Sequence, residues 1–178
     1  EESLQRSASI VRDLMERVMQ DWAAQVGVID LQVFCSDIIR DLQPLLHQKR
    51  CAVLLDIDQV TVSCDLGALR NILLNLVQNA CLHAYDAVDQ SAEPRRIEVT
   101  ARCSDGESGV VVCLTVRDWG KGIAPDAWNR IFEPFFTTRR GQGCTGLGLH
   151  LAYTAASGAL GGSLECRAAE PGIALVCT

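Results

Sequence analysis

Three asparagines and a histidine recur every fourth residue: Asn71, Asn75, Asn79 and His83. Asparagine is a mediocre helix former, up to ~0.7 kcal/mol worse than alanine. A solvated helix face would carry Lys and Glu instead, so the stripe needs a chemical reason. A row of neutral amide oxygens can ligate magnesium, which prefers oxygen, keeps several waters and commonly sits beside substrate phosphates. It adds no negative charge next to a triphosphate. Asp118 ends a predicted strand and is followed by Gly120 and Gly122. A carboxylate there can accept from an exocyclic amine such as that of adenine, whereas guanine offers another acceptor at that ring position. The glycines let backbone approach a flat ring closely, although D-x-G-x-G by itself also fits a plain β-turn. Arg139 and Arg140 precede a second glycine-rich stretch, GQGCTGLGLHLA, which enters a helix. Helix N-termini bind phosphate through free N–H groups and the dipole, and guanidiniums neutralise phosphate charge. The stretch is not a Walker loop, because the Gly-Lys-Ser/Thr ending is absent. No apolar strand leads directly into it, so it is not a Rossmann start either.

These residues need positioning elements. Residues 65–87 read as the longest helix, with Leu66, Leu69, Leu73, Leu76, Val77, Ala80 and Ala84 on a face that can pack on a sheet. The asparagine stripe falls on a different side. Val28–Val33 reads as a short strand and Phe34–Arg50 as a helix. Ala52–Ile57 and Val60–Cys64 read as short strands joined by a tight turn through Asp58 and Gln59. Arg96–Cys103 and Val110–Arg117 look like a hairpin. Trp119–Thr145 reads as a long loop with one helical turn, Gly146–Ser157 as a helix, and Ser163–Arg167 with Ile173–Cys177 as a closing strand pair. The sum is an α+β two-layer sandwich: a mixed, mostly antiparallel sheet with helices on one face. Leu4, Ala8, Val11, Met15, Val18 and Trp22 form a heptad seam of about three repeats. That seam fits a helix packed on its own domain, or the end of a dimerising helix that pairs two copies.

Four stretches occur in order: Asn75-x-x-x-Asn79-Ala80, Asp118-Trp-Gly-Lys-Gly122, Phe132-Glu-Pro-Phe-Phe-Thr-Thr138 and Gly146-Leu-Gly-Leu149. Together they resemble the N, G1, F and G2 boxes of the ATP-binding catalytic domain of sensor histidine kinases. The wider group is the Bergerat-fold ATPases, which includes gyrase B, the Hsp90 chaperones and the MutL proteins. The resemblance runs from about Val28 to the C-terminus. It implies a helical linker over residues 1–27 and an ATP-binding catalytic domain over 28–178. It implies that Asn79 holds Mg²⁺ with Asn75 supporting it, so both serve catalysis. Asp118 would read the adenine amino group, with Gly120, Gly122 and Ile123 around the base. Gly146, Leu147, Gly148 and Leu149 would face the phosphates. Arg139 or Arg140 would reach them from a lid, and His83, Phe135, Thr137, Thr138 and Thr145 complete the implied ATP contacts. The same lid is expected to be held at one end by Phe132, Phe135 and Phe136, and to be mobile without ligand over Arg139–Thr145.

The implied reaction is transfer of the ATP γ-phosphoryl to a histidine on a dimerisation domain, with a response regulator as the next partner. The hydrolytic relatives carry a water-activating Glu one turn before the magnesium Asn; here that residue is Asn75, an amide that cannot act as a base at neutral pH. Imidazole is already a nucleophile and needs less help. The alternatives are a hydrolytic Bergerat-type ATPase and a degenerate, nucleotide-binding regulatory module without transfer, the latter because two positions depart from the family pattern. Leu82 stands where a lysine is common, and Cys144 where a glycine is. None of His47, His83 and His150 lies in a phosphoacceptor-like helical hairpin; residues 1–26 resemble only its second helix and exit.

Composition narrows the classes further. The chain has 178 residues, 48% hydrophobic and 21% charged, which is globular composition for one domain. A net charge of −6 excludes the basic footprint of a nucleic-acid binder. The longest strongly apolar run, Val110–Val116, falls far short of the ~20 residues of a membrane span. Glu1-Glu2-Ser3 does not open a signal peptide. Nine cysteines show no C-x-x-C pair, so they read as reduced, packed thiols in a reducing compartment, the cytoplasm, whether of a free protein or of the cytosolic part of a membrane-bound sensor.

Overall fold

The computed structural model describes residues 26–85, 95–106, 109–139 and 144–178. The heptad seam, the polar break at 91–94, Arg140 and most of the lid's tip lie outside the described residues.

Strand β1 (Val26–Asp30) leads into helix α1 (Leu31–Asp41), which is followed by the short helix α2 (Gln43–Lys49). The predicted strand therefore stops three residues early. Asp30 accepts a hydrogen bond from the Val33 N–H at 2.9 Å, and this N-cap starts the helix at Leu31. The single helix expected over 34–50 is two helices, divided at Leu42, with a proline in the first turn of α2. Proline suits a first turn, where its missing N–H costs nothing. Arg50 ends α2 in the left-handed region, φ 54°.

Strand β2 (Cys51–Ile57) and β3 (Thr61–Asp65) do not form a hairpin. They belong to different sheets, β3 pairing antiparallel with β1 and β2 running parallel to β4 (Arg95–Gly106). The turn between them is tied to β4 instead. The Asp58 N–H donates to the Ala101 carbonyl, and the Asp58 carboxylate accepts from the Cys103 N–H. Helix α3 (Leu66–His83) is capped by the Asp65 side chain, which accepts from the Ala68 N–H at 3.0 Å. Strand β5 (Gly109–Asp118) closes the predicted hairpin with β4. Helix α4 (Gly148–Thr154) continues as a π-helical turn over Ala155–Ala159. Strands β6 (Leu164–Ala168) and β7 (Ile173–Cys177) complete a five-stranded sheet of order β2-β4-β5-β7-β6. All its pairs but β2–β4 are antiparallel.

One face of this sheet meets the helices. Ile97, Val99 and Ala101 of β4, Leu114 and Val116 of β5, and Leu175 of β7 alternate inward, as the two-residue strand period requires. Ile72, Leu73, Leu76 and Val77 of α3 are fully buried against them. Large-to-small changes at such sites cost about 2–5 kcal/mol. Two layers with one shared core result, and the other flank of α3 is left to build a site. No described helix is long and apolar enough to cross a membrane.

Candidate nucleotide site

A cavity of about 890 Å³ opens between α3 and the segments 121–138 and 144–151. Small-molecule sites run roughly 300–1,000 Å³. Its α3 wall is Asn75, Gln78, Asn79, Leu82 and His83. Their spacing of 3, 1, 3 and 1 is one face of a helix. The amide stripe is half-buried, not solvated. Asn71 stands behind it: the Asn75 side-chain N–H₂ donates to the Asn71 carbonyl at 2.9 Å and to the Asn71 Oδ1 at 3.0 Å. With its donors spent there, Asn75 turns its own oxygen to Gly148. A Cβ at Gly148 would lie 2.7 Å from that oxygen. Asn75 thus joins α3 to the start of α4.

Asp118 is the last residue of β5 and the one buried charged side chain among the described residues, 4% exposed. It faces inward by the same alternation as Leu114 and Val116. One carboxylate oxygen accepts from the Gly120 N–H at 2.9 Å. The Ile173 N–H donates to the carboxylate as well. Burial pushes this carboxyl above the ordinary aspartate range; the two N–H donors and nearby Arg117 oppose the shift. Gly172, at φ +91°, lets β7 approach this closely, since a Cβ there would sit 2.1 Å from the Asp118 carbonyl oxygen.

The stretch after Asp118 is fastened to the end of α3. The Lys121 N–H donates to the Ala84 carbonyl at 2.8 Å. The Tyr85 hydroxyl donates to the Arg96 carbonyl and accepts from the Trp119 N–H. Gly120 belongs to this clamp and does not line the cavity. A Cβ there would lie 2.1 Å from the Ala84 carbonyl oxygen. Its glycine is explained by helix packing and not by a flat ligand ring. Gly122, at φ +73°, and Ile123 do line the cavity.

The aromatic segment divides its work. Phe132 packs against the core and stacks with Tyr153 at 5.4 Å between centroids. Phe136 lines the cavity beneath the Arg130 guanidinium. Phe135 departs from expectation: at φ 65° and 42% exposed it neither lines the cavity nor joins the core. The backbone there is instead braced by Gly146, where a Cβ would lie 2.5 Å from the Phe135 carbonyl carbon. Thr137, Thr138, Cys144, Thr145 and Gly146 form one rim; Leu147, Gly148 and Leu149 continue it.

Arg139 also departs from expectation. Its guanidinium donates to the Tyr85 carbonyl at 2.6 Å and is not among the cavity's lining groups. Arg140 lies outside the described residues. The cation that does line the cavity is Lys121. Burial first, then Arg139 and Lys121, hold the His83 imidazole below its usual range, so it is neutral at pH 7. Lys121 and Gln78 were absent from the expected site. Gln78 was readable, because it lies three residues from Asn75 on one helix face. Ile173 and Gly172 carried no sequence signal, since strand pairing alone brings them to Asp118.

A buried carboxylate at a strand end, an amide-lined helix and a glycine-rich rim thus surround one cavity. The chain belongs to the histidine kinase-, DNA gyrase B- and HSP90-like ATPase family, whose model matches residues 64–176. It is 30% identical over 153 residues to a putative sensor protein of Shewanella frigidimarina, covering 84% of this chain and 21% of that protein. It is 31% identical over 161 residues to the sensor kinase CckA of Brucella abortus, covering 83% of this chain and 16% of that one. The chain thus spans about a fifth or less of these relatives' length. Among solved structures, full-length ShkA in complex with AMPPNP superposes with a TM-score of 0.67 at 28% identity, over 85% of this chain and 30% of that chain. The nucleotide-free catalytic domain of histidine kinase ThkA shares the fold, with a TM-score of 0.67 at 23% identity, over 85% of this chain and 93% of that one.

Proposed function

We propose that this chain binds ATP with Mg²⁺ and passes the γ-phosphoryl to a histidine on a separate dimerisation domain in two-component signalling, with a response regulator beyond it. The observation that carries the reading is Asp118: a buried carboxylate with two backbone donors, facing a nucleotide-sized cavity. Its remaining lone pairs suit an exocyclic amine, as on adenine. Gly122 and Ile123 border the same end, and Ile173 supplies apolar surface for a ring. At the other end, Asn79 and Asn75 offer hard neutral oxygens, which fit Mg²⁺. When bound, the ion would supply charge neutralisation for the phosphates. Thr137, Thr138, Thr145 and the amides from Gly146 to Leu149 would bind and orient the phosphate chain. Lys121 would place a positive charge near His83, where Leu82 supplies none. Arg139 would act from behind the wall, by holding Tyr85 and so the end of α3.

Transfer of this kind depends on positioning and charge stabilisation, with little covalent work for the protein. The side chain one turn before Asn79 is the amide Asn75, already bonded to Asn71. It cannot take a proton from water, which disfavours hydrolysis as the main reaction. The test is incubation with γ-labelled ATP, magnesium and a supplied dimerisation domain. Acid-labile, base-stable phosphate on that domain is expected. Free phosphate alone would mean an ATPase, and nucleotide binding with no turnover a regulatory module.

A further inference from the structure

Three residues from three elements form a closed circuit around the backbone next to Asp118. Tyr85 follows the last turn of α3, Arg96 lies at the start of β4, and Trp119 follows the end of β5. The Tyr85 hydroxyl donates to the Arg96 carbonyl at 2.6 Å and accepts from the Trp119 N–H at 3.1 Å. The Arg96 guanidinium lies over the Trp119 ring, 4.1 Å from its centroid, and so closes the circuit. The Arg117 guanidinium lies over the same ring at 4.4 Å. Tyr85 is 9% exposed. Burial raises its hydroxyl above the ordinary tyrosine range; the Trp119 N–H opposes this and the nearby Asp118 charge adds to it, so the hydroxyl is a donor at neutral pH.

The circuit holds the turn that aims the Asp118 carboxylate. All three N–H groups after Asp118 are engaged. That of Trp119 meets the Tyr85 hydroxyl, that of Gly120 the Asp118 carboxylate at 2.9 Å, and that of Lys121 the Ala84 carbonyl at 2.8 Å. The Gly120 bond closes an Asx turn, so the direction of the carboxylate follows the position of residues 119–121. Two of the three anchors come from the end of α3. The Ala84 anchor is backbone and would serve with any residue there. The Tyr85 anchor is a side-chain hydroxyl and depends on the residue type.

We propose that Tyr85 is a positioning residue that sets the base preference of the nucleotide site: with Arg96 and Trp119 it fixes the Asp118 carboxylate where an exocyclic amine, as on adenine, can meet it. The inference rests on the nucleotide reading above and adds a selectivity device behind the wall, since none of the three residues lines the cavity. A purine with a carbonyl at that ring position sets acceptor against acceptor. Rejection then requires that the carboxylate cannot turn away. Released from Tyr85, residues 119–121 shift and carry the carboxylate with them. The amine loses part of its bond, while the carbonyl purine escapes part of its repulsion. Loss of the hydroxyl therefore acts on the two bases in opposite directions, whereas general damage to the fold weakens both alike.

The experiment measures the affinities of wild-type protein and Tyr85→Phe for MgATP and MgGTP by isothermal titration, with thermal melting followed by circular dichroism to show that the variant folds. Phenylalanine keeps the ring beneath the Arg95 guanidinium and removes only the hydroxyl. ATP binding is expected to weaken roughly three- to tenfold, less than on removal of the carboxylate itself, while GTP binding holds or tightens. A lower melting temperature with an unchanged ATP-to-GTP ratio would overturn the inference, because a merely structural role has that signature. Arg96→Lys is the second arm and leaves the Tyr85 bonds in place. Its backbone carbonyl still accepts, but the planar stack on Trp119 is lost, so a smaller narrowing of the ratio is expected. If Tyr85→Phe does not fold, an unchanged ratio in Arg96→Lys overturns the inference by itself. Wild-type protein that binds ATP and GTP equally would overturn it and leave the nucleotide reading standing. Wild-type protein that binds neither would overturn both.

Discussion

Asp118→Asn keeps the shape of the side chain and replaces one oxygen with an N–H₂ group. In the wild-type protein the Gly120 N–H, at 2.9 Å, and the Ile173 N–H both donate to the carboxylate. An amide has only one accepting oxygen. If that oxygen stays with the two N–H groups, the N–H₂ faces the cavity and meets the adenine amine donor to donor. If the amide turns over, the N–H₂ opposes the Gly120 and Ile173 donors. In the first orientation, which keeps both backbone bonds, the bond between the carboxylate and the adenine amine is lost, about 1.5–3 kcal/mol, or roughly 10- to 150-fold in Kd; in the second the loss falls on the folded state. Isothermal titration with ATP and GTP measures it, and the preference for ATP should shrink because GTP gains nothing from the carboxylate. The same variant has an opposite effect on the empty fold. The folded carboxyl is raised above 3.8, so ionising it costs stability. That cost is absent below the unfolded value and fully present above the raised folded value. Asp118→Asn removes the charge, so its stability relative to wild type should rise with pH through that window and then level off. Urea unfolding between pH 3 and 8 follows this. ATP affinity equal to wild type would refute the base-pocket assignment.

Asn79→Ala should abolish magnesium-dependent transfer while metal-free nucleotide binding is partly retained, since base contacts lie at 118–123; calorimetry with and without EDTA separates the two. Gly120→Ala places a Cβ against a backbone carbonyl that cannot rotate away, so it should destabilise by about 1–3 kcal/mol or more in chemical denaturation. His83 has a folded value below its ordinary 6.5. Its contribution to stability is whole above that value and is lost as pH falls below it; His83→Gln should flatten this part of the unfolding profile between pH 7.5 and 5. Hydrogen exchange should show residues 121–145 gaining protection with MgATP, and protection gained only near Asp118 would mean that the base binds without closure on the phosphates.

Much of this site could be read along the chain because its parts are local. The period of α3 puts Asn75, Asn79 and His83 on one face whatever the rest of the fold does. The alternation of β5 likewise sends Asp118 to the same side as Leu114 and Val116. Each glycine-rich stretch declares a close approach of backbone. What those stretches approach was not legible. Gly120 meets the Ala84 carbonyl at the end of α3, a contact distant in sequence, and Gly146 folds back on the backbone of Phe135. Charge placement was equally hidden. Arg139 looked like a phosphate ligand from its neighbours, yet it is spent on the Tyr85 carbonyl, and Lys121 faces the cavity. Periodicity and composition act through neighbours a few residues away. Partner choice among strands and cations depends on which surfaces must be buried together, and that is decided only when the sheet and helices close on one core.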